Sequence, residues 1–426
     1  MDYQPGGSSG VSADSDPLSD IQKCARDTYL FQDLGINTIR VYSINPNLDH
    51  DKCMTLLANA GIYVVLDVNS PMEHQHLNRY EPWSTYNEHY ISHVFRVITQ
   101  FSSYNNTLAF FAGNEVVNDR ASAKASPVYV KAVIRDMKEF MGRNLMRRVP
   151  VGYSAADDLD YRTSLAEYLT CYQTSSDEQV DFYGVNTYQW CGQQTFYSSG
   201  YDTLVRDYVN FPKPIFFSEY GCNKILPRLF QEVTSIYSSK MADVFSGGLV
   251  YEFAQEPNNY GLVDYDDEGN VKLLPDYHTF KKRLAQVHNP TVSKTNNRNR
   301  GYDAFNSKRT ISTAQNSKSC SEQYENLDVS HGLPRPVAKG IQRSNKGTKR
   351  AGFVSLAIDD YTSKYKIFNA DGSIITENPR VSIVHEPDYD PSDVGRHFIW
   401  SNRATSIATP AIIAVTTCLM VMLLTR

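Results

Sequence analysis

The sequence has no Cys-x-x-Cys pair and no cluster of cysteine and histidine residues at the spacing of metal ligands. This absence argues against the common structural zinc sites, so we expect no metal centre of that kind. The chain also lacks a basic excess, since its 426 residues carry a net charge of −5. We therefore expect no nucleic-acid partner. Tryptophan is scarce, with 3 residues against 29 tyrosines, and tyrosine is typical of hydrogen-bonding clefts.

The charge is unevenly distributed along the chain. Residues 1–280 carry a net charge of −14, whereas residues 281–426 have 21 bases and 12 acids, a net charge of +9. The basic excess is greatest in residues 281–350, with 15 bases and 4 acids. Two interpretations of that segment are open: an electrostatic contact with an anionic wall polymer or membrane, and a solvated tether, which we favour.

Long apolar runs are missing except near the carboxyl end. Ala411–Thr425 is a run of 15 uncharged residues, which as a helix would cover about 22 Å, less than a bilayer core. Small residues precede it at positions 401, 402 and 404–406, as in the removable signal for a glycolipid anchor. A tail anchor and a buried helix are the alternatives. No apolar leader follows Met1, so we expect an export leader to lie upstream of it.

Apolar, β-branched runs alternate with helix-like stretches through the first 250 residues or so. Seven such runs predict strands buried on both faces, at Thr38–Ile44, Ile62–Asn69, Leu108–Glu115, Val149–Ala155, Val180–Tyr188, Pro214–Tyr220 and Gly248–Ala254. Helices are predicted between them, at Pro17–Leu34, Cys53–Ala60, Asn87–Phe101, Pro127–Arg143 and Leu226–Phe245. The alternation predicts an α/β fold, a (β/α)₈ TIM barrel whose truncated first strand ends at Tyr3-Gln4.

The alternation stops near residue 288, which gives four predicted regions. Residues 1–288 form the barrel. Residues 289–350 form a basic linker rich in Asn and Ser, and the stretch Thr291–Lys318 is predicted to be disordered. Residues 351–400 regain short strand-like runs and predict a small β-rich or irregular region. Residues 401–426 hold the anchor signal with its hydrophobic tail.

Two glutamates end predicted strands. Glu115 ends the fourth strand and Glu219 the seventh, if the truncated strand counts as the first. Carboxyl ends of barrel strands face the active site, and these two strands lie on opposite sides of the barrel mouth. A pair of carboxyl groups about 5–5.5 Å apart is what retaining glycoside hydrolysis requires. A lone glutamate is more often a salt-bridge partner, but both lie in apolar runs where an unpaired charge is costly.

Further polar residues follow the other predicted strands. They are Tyr42, Asp67, Asn69, Tyr188, Tyr251 and Glu252. Any single tyrosine among them is equally well explained by packing in the core or at the rim. Because all of them converge on one rim of the predicted barrel, as a set they indicate a sugar-binding cleft.

The sequence closely resembles glycoside hydrolase family 72, the fungal β-1,3-glucanosyltransferases attached to the cell surface by glycosylphosphatidylinositol. The resemblance covers roughly residues 2–285. It is carried by the runs DYQPGGSSG, DPLSDIQKCARD, LGINTIRVYSINP, GIYVVLDVNSP, FFAGNEVVND, DFYGVNTYQWCG, FFSEYGCN and YEFAQEPNNYGLV. It implies a retaining enzyme without a cofactor that cleaves an internal β-1,3 bond and transfers the new end to an acceptor glucan chain. It also implies a place at the outer face of the plasma membrane and in the cell wall, with a lipid anchor in the membrane.

The resemblance also assigns roles to individual residues. Glu115, in the Asn-Glu pair, matches the general acid/base, and Glu219 matches the nucleophile. The residues that match those lining the family's glucan cleft are Gln4, Tyr42, Asp67, Asn114, Tyr188 and Tyr251. Glu115 must start protonated and Glu219 ionised, so the two carboxyl groups require different environments.

Six of the seven cysteines lie outside the hydrophobic tail, and disulfides and reduced core thiols are both open for them. The resemblance implies the pairs Cys24–Cys53, Cys191–Cys222 and Cys171–Cys320. The cysteines of the family's cysteine-rich carbohydrate-binding module are absent, so the chain resembles the type without it. The only N-glycosylation sequon begins at Asn105.

Two other functions are weighed against transfer. A plain endo-β-1,3-glucanase would use the same barrel and the same two carboxylates, because water in place of the acceptor hydroxyl gives hydrolysis. A non-catalytic wall protein that binds glucan would be expected to have lost Glu115 or Glu219, and both are present.

Overall fold

The computed structural model describes residues 1–288, 319–337 and 351–384. All seven predicted strands are present in one parallel sheet, in which each strand pairs with the next along the chain. The strands are β1 Thr38–Val41, β2 Tyr63–Asp67, β3 Thr107–Asn114, β4 Val151–Ala156, β5 Phe182–Asn186, β6 Ile215–Tyr220 and β7 Gly248–Val250. Their sequential order is that of a TIM barrel, as the sequence predicts.

The first three residues close the barrel between β1 and β7. Asp2 forms a parallel bridge with Arg40 of β1, and its amide donates to the carbonyl of Val250 in β7 at 3.0 Å. The amide of Tyr3 donates to the carbonyl of Arg40 at 2.8 Å. Met1–Tyr3 therefore occupies the position of the predicted truncated first strand, so β3 and β6 are the fourth and seventh positions of the barrel.

Helices pack around the sheet. They are α1 Ile21–Leu34, α2 Asp51–Asn59, α3 Pro82–Thr85, α4 Glu88–Phe101, α5 Arg120–Ala125, α6 Pro127–Asn144, α7 Arg162–Thr170, α8 Tyr201–Tyr208, α9 Glu232–Ile236 and α10 Pro275–Leu284. Local chemistry sets several of the ends. The side chains of Asp20 and Asn87 accept backbone hydrogen bonds at the starts of α1 and α4. Gly35, at φ 74°, ends α1 in the left-handed conformation that glycine adopts without strain.

The predicted helix over Leu226–Phe245 was wrong in extent. Only Glu232–Ile236 is helical, and turns follow it. The hydroxyl of Ser238 donates to the carbonyl of Ser235 at 2.7 Å. Such a local bond gives the backbone an alternative to the next helical turn.

The inside of the barrel is apolar at one end and polar at the other. Val65, Ala109, Phe111 and Phe182 form a buried cluster between the strands. The guanidinium of Arg40 lies 4.6 Å from the centre of the Phe111 ring, at the boundary between this cluster and the polar groups nearer the strand ends. The charged groups at the mouth of the barrel therefore pack against this buried apolar cluster.

A second sheet lies beside the barrel. It combines the hairpin β8 Val263–Tyr265 and β9 Val271–Leu273 with β10 Ile367–Phe368 and β11 Ile374–Thr376. β10 pairs with β9 in parallel. Of the strand-like runs predicted in 351–400, the one at 364–368 contains β10. The run Phe353–Ile358 pairs into no strand, and Ile358 begins a short 3-10 helix, Ile358–Tyr361.

Residues 351–384 pack on the barrel. The ammonium group of Lys52 in α2 lies 3.0 Å from the Asp360 carboxylate. The Asn59 amide donates to the Tyr361 hydroxyl at 2.6 Å. The Ser363 hydroxyl donates to the carbonyl of Gln22 at 2.7 Å. This region thus covers α1 and α2, which is why β10 reaches the edge of β9.

Part of the predicted linker is also folded onto the barrel. Residues 319–337 are joined to it by the Cys171–Cys320 disulfide. The amide of Asp328 donates to the carbonyl of Ala123 at 3.1 Å, and Arg135 donates to the carbonyl of Pro334 at 2.9 Å. The interpretation of 289–350 as one tether is corrected for this stretch, because covalent and hydrogen bonds fix it to α5, α6 and the end of α7.

The structure joins the cysteines in the three pairs that the resemblance implies: Cys24–Cys53, Cys171–Cys320 and Cys191–Cys222. Among the helices of the described residues, none combines the length and the apolar composition that crossing a bilayer requires. The disorder predicted for Thr291–Lys318 and the anchor signal predicted for 401–426 lie outside the described residues.

Candidate active site

Glu219 lies near the carboxyl end of β6 and is 7% exposed. The hydroxyl of Tyr42 donates to its Oε1 at 2.8 Å, and the hydroxyl of Tyr188 donates to its Oε2 at 2.7 Å. Burial raises the pKa of both tyrosines above the ordinary value, so both hydroxyls stay protonated and donate. Each oxygen of the carboxylate is therefore held by its own donor.

Arg40, inside the barrel, is the third side chain that bonds the Glu219 carboxylate. It is fully buried in β1 and donates to Glu219 Oε1 at 3.2 Å. It also forms a bidentate salt bridge with Asp67: Nε donates to Oδ1 at 3.0 Å and Nη2 donates to Oδ2 at 2.9 Å. One guanidinium thus bonds two carboxylates. Its bidentate pair with Asp67 fixes the orientation of the Arg40 side chain.

Opposing forces set the pKa of Glu219. Burial is the largest and raises the pKa to about 7, and the charge of Glu115 adds to the rise. Arg40 and the hydroxyls of Tyr188 and Tyr42 oppose it, because each of them stabilises the ionised carboxylate. The same three donors also fix the direction in which the carboxylate points.

Glu115 directly follows β3 and has a φ of 48°, in the left-handed region where a side chain is strained. Its amide donates to the carbonyl of Ser154 in β4 at 2.9 Å, which holds that turn. Its Oε1 accepts a hydrogen bond from Asn186 Nδ2 at 2.9 Å. The strained turn and the amide together determine where the Glu115 carboxyl group lies.

Asn186, at the end of β5, connects the two glutamates. Its register partner in β6 is Glu219, while its amide nitrogen donates to both Glu115 and Asn114, the latter at 3.0 Å. The hydroxyl of Ser218 donates to Asn186 Oδ1 at 2.7 Å. Because the oxygen is occupied by a hydroxyl, the amide nitrogen must face Glu115. Asn114, predicted beside the catalytic pair, lies in this network.

Four tyrosines form an aromatic wall above Glu219, which we call the tyrosine wall: Tyr42, Tyr188, Tyr251 and Tyr260. Tyr251 contacts the other three edge-on, with ring centres 6.3, 6.2 and 5.2 Å away for Tyr42, Tyr188 and Tyr260 respectively. Tyrosine faces and hydroxyls together suit the apolar faces and hydroxyl groups of a sugar. Tyr260 was not among the predicted site residues.

Two predicted cleft residues lie behind the surface. The Gln4 side chain accepts the amides of Tyr42 at 3.2 Å and Ser43 at 3.0 Å, so it holds the backbone that carries Tyr42. Both oxygens of Asp67 are occupied by Arg40, and the residue is 4% exposed. The resemblance matches both to cleft-lining residues, and in the structure Gln4 supports Tyr42 while Asp67 supports Arg40.

Two residues that bond the paired glutamates are not predicted from the sequence. Arg40 and Asn186 both lie inside apolar strands, at positions that a core strand normally gives to aliphatic residues. A charged or amide residue within an apolar strand is itself a sequence signal, because such a residue is rarely buried unless it is paired. Asn69 belongs to the strand-end set that the sequence predicts at a sugar-binding cleft. It accepts the Tyr90 hydroxyl at 2.6 Å and holds the backbone of Ala112.

Asn105, the sequon residue, lies between α4 and β3 and is exposed. This places it at the end of the barrel opposite the glutamates. No group of three or more His, Cys, Asp or Glu side chains within 1–288, 319–337 and 351–384 is arranged to hold a metal ion.

Comparison with known proteins agrees with this geometry. The family model of glycoside hydrolase family 72, described as glucanosyltransferase, matches residues 1–288. The chain is 52% identical over 373 residues to the 1,3-beta-glucanosyltransferase GAS4 of Saccharomyces cerevisiae, covering 87% of this chain and 76% of that protein. It is 44% identical over 377 residues to the 1,3-beta-glucanosyltransferase gel2 of Aspergillus fumigatus, covering 88% and 77%.

Solved structures are similar as well. A mutant of Saccharomyces cerevisiae Gas2p in complex with laminaritetraose and laminaripentaose matches with a TM-score of 0.68 and 36% identity. The match covers 79% of this chain and 69% of that one. Sequence, barrel and the two strand-end glutamates all lead to one conclusion: the chain belongs to the glucanosyltransferases of glycoside hydrolase family 72.

Proposed function

We propose that the protein is a retaining β-1,3-glucanosyltransferase that cleaves an internal bond of a β-1,3-glucan and joins the new end to another glucan chain. The observation that carries the proposal is the pairing of Glu219 and Glu115 at the ends of β6 and β3. Each is held by its own set of donors, and the tyrosine wall stands beside Glu219. The printed names of the relatives and the laminari-oligosaccharides bound by Gas2p support the same substrate class.

In the first step Glu219 is the nucleophile. Its carboxylate oxygen attacks the anomeric carbon of the donor glucan while the Glu115 carboxyl group gives its proton to the leaving glycosidic oxygen. The bond from carbon to the leaving oxygen breaks as the ester to Glu219 forms. The two tyrosine hydroxyls and Arg40 keep the attacking carboxylate aimed at one position, so little reorientation is needed.

In the second step Glu115 acts as a base. Its carboxylate takes the proton of the 3-hydroxyl at the non-reducing end of an acceptor glucan, and that oxygen attacks the anomeric carbon. The ester to Glu219 breaks and a new β-1,3 bond forms with retained configuration. Asn186 Nδ2 stays within reach of Glu115 in either protonation state, because the other oxygen of that carboxyl group can carry the proton.

The remaining site residues take supporting roles in this proposal. Tyr188 and Tyr251 contact the sugar through the tyrosine wall, and Asn114 bonds a sugar hydroxyl beside Glu115. Gln4 and Asp67 act as positioning residues, the first through Tyr42 and the second through Arg40. The open choice is between an acceptor sugar and water, which decides between transfer and hydrolysis.

The test uses one laminari-oligosaccharide of defined length as both donor and acceptor. Transfer yields products longer than the input together with shorter ones. An enzyme that yields only shorter products, at every substrate concentration, is a glucanase and contradicts the proposal. A protein that binds the oligosaccharide without changing it is a binding protein.

We also propose that the enzyme acts outside the cell, tethered by a glycolipid that replaces the hydrophobic tail after residue 401, with cell-wall glucan as its substrate. Three disulfides fit an oxidising compartment, and exposed Asn105 is available for glycosylation. Treatment of cells with a phosphatidylinositol-specific phospholipase should release the protein. Protein that stays bound and still contains the peptide with Leu423 and Leu424 would mean a transmembrane tail.

A further inference from the structure

A groove of about 530 Å³ lies outside the catalytic cleft. One wall comes from the segment between β5 and α8, with Trp190, Gln193 and Phe196. The other comes from α9 and its flanks, with Gln231 and Thr234. Neither catalytic glutamate and no member of the tyrosine wall lines it. Its volume falls in the range of about 300–1,000 Å³ that is usual for small-ligand sites.

The lining combines hydrogen-bonded amides and hydroxyls, such as Gln194 and Ser198, with others that are uncommitted. The side chains of Gln193, Gln231 and Thr234 make no hydrogen bond to any other residue that the structure describes. No carboxylate lines the groove. Of its two cations, Arg283 already donates to the carbonyl of Leu229 at 2.9 Å. Neutral donors and acceptors therefore outnumber charges, which favours a neutral, hydroxyl-rich ligand over an anion.

Trp190 is the buried aromatic residue of the first wall. It is 6% exposed, and its Nε1 finds no acceptor among the described residues. A buried N–H without a partner costs roughly 1–3 kcal/mol, and this nitrogen has too little accessible surface for a groove ligand to reach it unless the wall shifts. Its ring packs on Tyr201 with centres 5.1 Å apart, which fixes it in the wall.

The groove is rigid and close to the catalytic cleft. Trp190 is only two residues from Tyr188, which bonds Glu219, so their Cα atoms lie within about 7 Å. The disulfide Cys191–Cys222 ties this wall to the loop after β6. On the other side, the Lys240 ammonium lies 5.2 Å from the Phe196 ring centre and links the two walls. A single long polymer can therefore occupy both sites.

We propose that this groove binds a second segment of a neutral β-glucan chain and thereby favours long glucans over short oligosaccharides. The proposal rests on the substrate class proposed above and adds a site outside the cleft. The half-buried Phe196 ring offers a face for a sugar, and the amides on both walls offer bonds to its hydroxyls.

The test compares the double variant Gln193→Ala/Gln231→Ala with Gln173→Ala, an exposed glutamine on the segment after α7. The transfer reaction is measured with a short laminari-oligosaccharide and with a long soluble β-1,3-glucan. We expect the double variant to raise KM for the long glucan about three- to tenfold, as loss of two hydrogen bonds would. KM for the oligosaccharide should stay within about twofold, because the cleft is intact.

A second measurement separates this proposal from the proposed function. The same substitutions are placed in a Glu219→Gln background, and the dissociation constant for uncut long glucan is measured by calorimetry. Weaker binding of the groove variant supports the site even if the wild type proves to hydrolyse rather than transfer. Equal binding of the groove variant and the Gln173→Ala control would overturn it. So would a loss of equal size on short and long glucans, or a groove that binds inorganic phosphate instead.

Discussion

The hydroxyl of Tyr188 donates to Glu219 Oε2 at 2.7 Å, and together with Arg40 and Tyr42 it stabilises the ionised form of a carboxylate whose pKa burial raises. In the proposed mechanism Glu219 must be ionised to attack, so this bond should contribute to the acidic side of the activity profile. It also fixes the position of Tyr188, a member of the tyrosine wall, relative to the Glu219 carboxylate.

The first prediction concerns this bond. Tyr188→Phe removes a donor to the carboxylate, so the pKa of Glu219 should rise further from its value of about 7. The acidic limb of kcat/KM should move to higher pH by about one unit, and activity at low pH should fall most. The pH profile of oligosaccharide transfer measures this. Tyr260→Phe is the control, because Tyr260 belongs to the tyrosine wall without bonding Glu219. An unmoved acidic limb in Tyr188→Phe would contradict the assignment of that limb to Glu219.

The second prediction concerns the nucleophile itself. Glu219→Gln should lower both cleavage and elongation at least about 10³-fold, because an amide does not form the glycosyl ester. Binding of a laminari-oligosaccharide should persist, since the tyrosine wall is unchanged. Glu232→Gln makes the same chemical change at another buried glutamate and should retain activity. Substantial turnover by folded Glu219→Gln would sink the assignment of the nucleophile.

The third prediction concerns Arg40. Arg40→Met leaves Asp67 and Glu219 buried without their shared cation, which should lower the free energy of unfolding by about 3–5 kcal/mol. Urea unfolding at neutral pH measures the loss. Arg143→Met is the control, because Arg143 is 59% exposed in its pair with Glu139, and it should cost less than about 1 kcal/mol. Equal losses in the two variants would show that Arg40 is not the support of the site.

The fourth prediction concerns pH and stability. Burial raises the pKa of Glu232 to about 7 from 4.5, so the folded state holds a proton that the unfolded chain has lost between these values. The contribution of Glu232 to stability is therefore present below pH 4.5 and lost as the pH rises through 7. Glu232→Gln removes this dependence. Its free energy of unfolding relative to the wild type should increase from pH 4.5 to pH 8 by at most about 3 kcal/mol.

Urea unfolding at several pH values checks this outcome. Glu167→Gln, at an exposed glutamate on α7, is the control and should track the wild type across the range. A difference between Glu232→Gln and the wild type that stays flat with pH would mean that the buried carboxyl group does not gain a proton on folding.

The fifth prediction concerns the covalent links. Peptide mapping without reduction should find Cys24–Cys53, Cys171–Cys320 and Cys191–Cys222 in secreted protein. The pair Cys191→Ser/Cys222→Ser opens a loop with a separation of 31 residues, which should cost roughly 3–4 kcal/mol. Free thiols at these positions in secreted material would contradict the pairing.

The barrel and its two glutamates were predictable because parallel strands buried on both faces form continuous apolar runs, and polar groups at their ends stand out. Arg40 and Asn186 were not singled out, because their partners come from other strands and become visible only once the barrel closes. The hairpin of β8 and β9 was missed although Asp267-Glu268-Gly269-Asn270 is a turn signal. The packing of residues 351–384 depends on surfaces of α1 and α2 that no local pattern in that region describes.

The β9–β10 pairing has a consequence for anyone who divides this protein. The family match ends at residue 288, yet the amide of Val271 donates to the carbonyl of Lys366 at 2.9 Å, and Lys272 lies opposite Phe368. A fragment cut at 288 would leave the β9 edge with open hydrogen-bonding groups and would uncover the surfaces of α1 and α2 that residues 351–384 contact. Such an edge is a template for strand addition between molecules. Poor solubility of that fragment would then result from the loss of residues 351–384 rather than from a defect in the barrel.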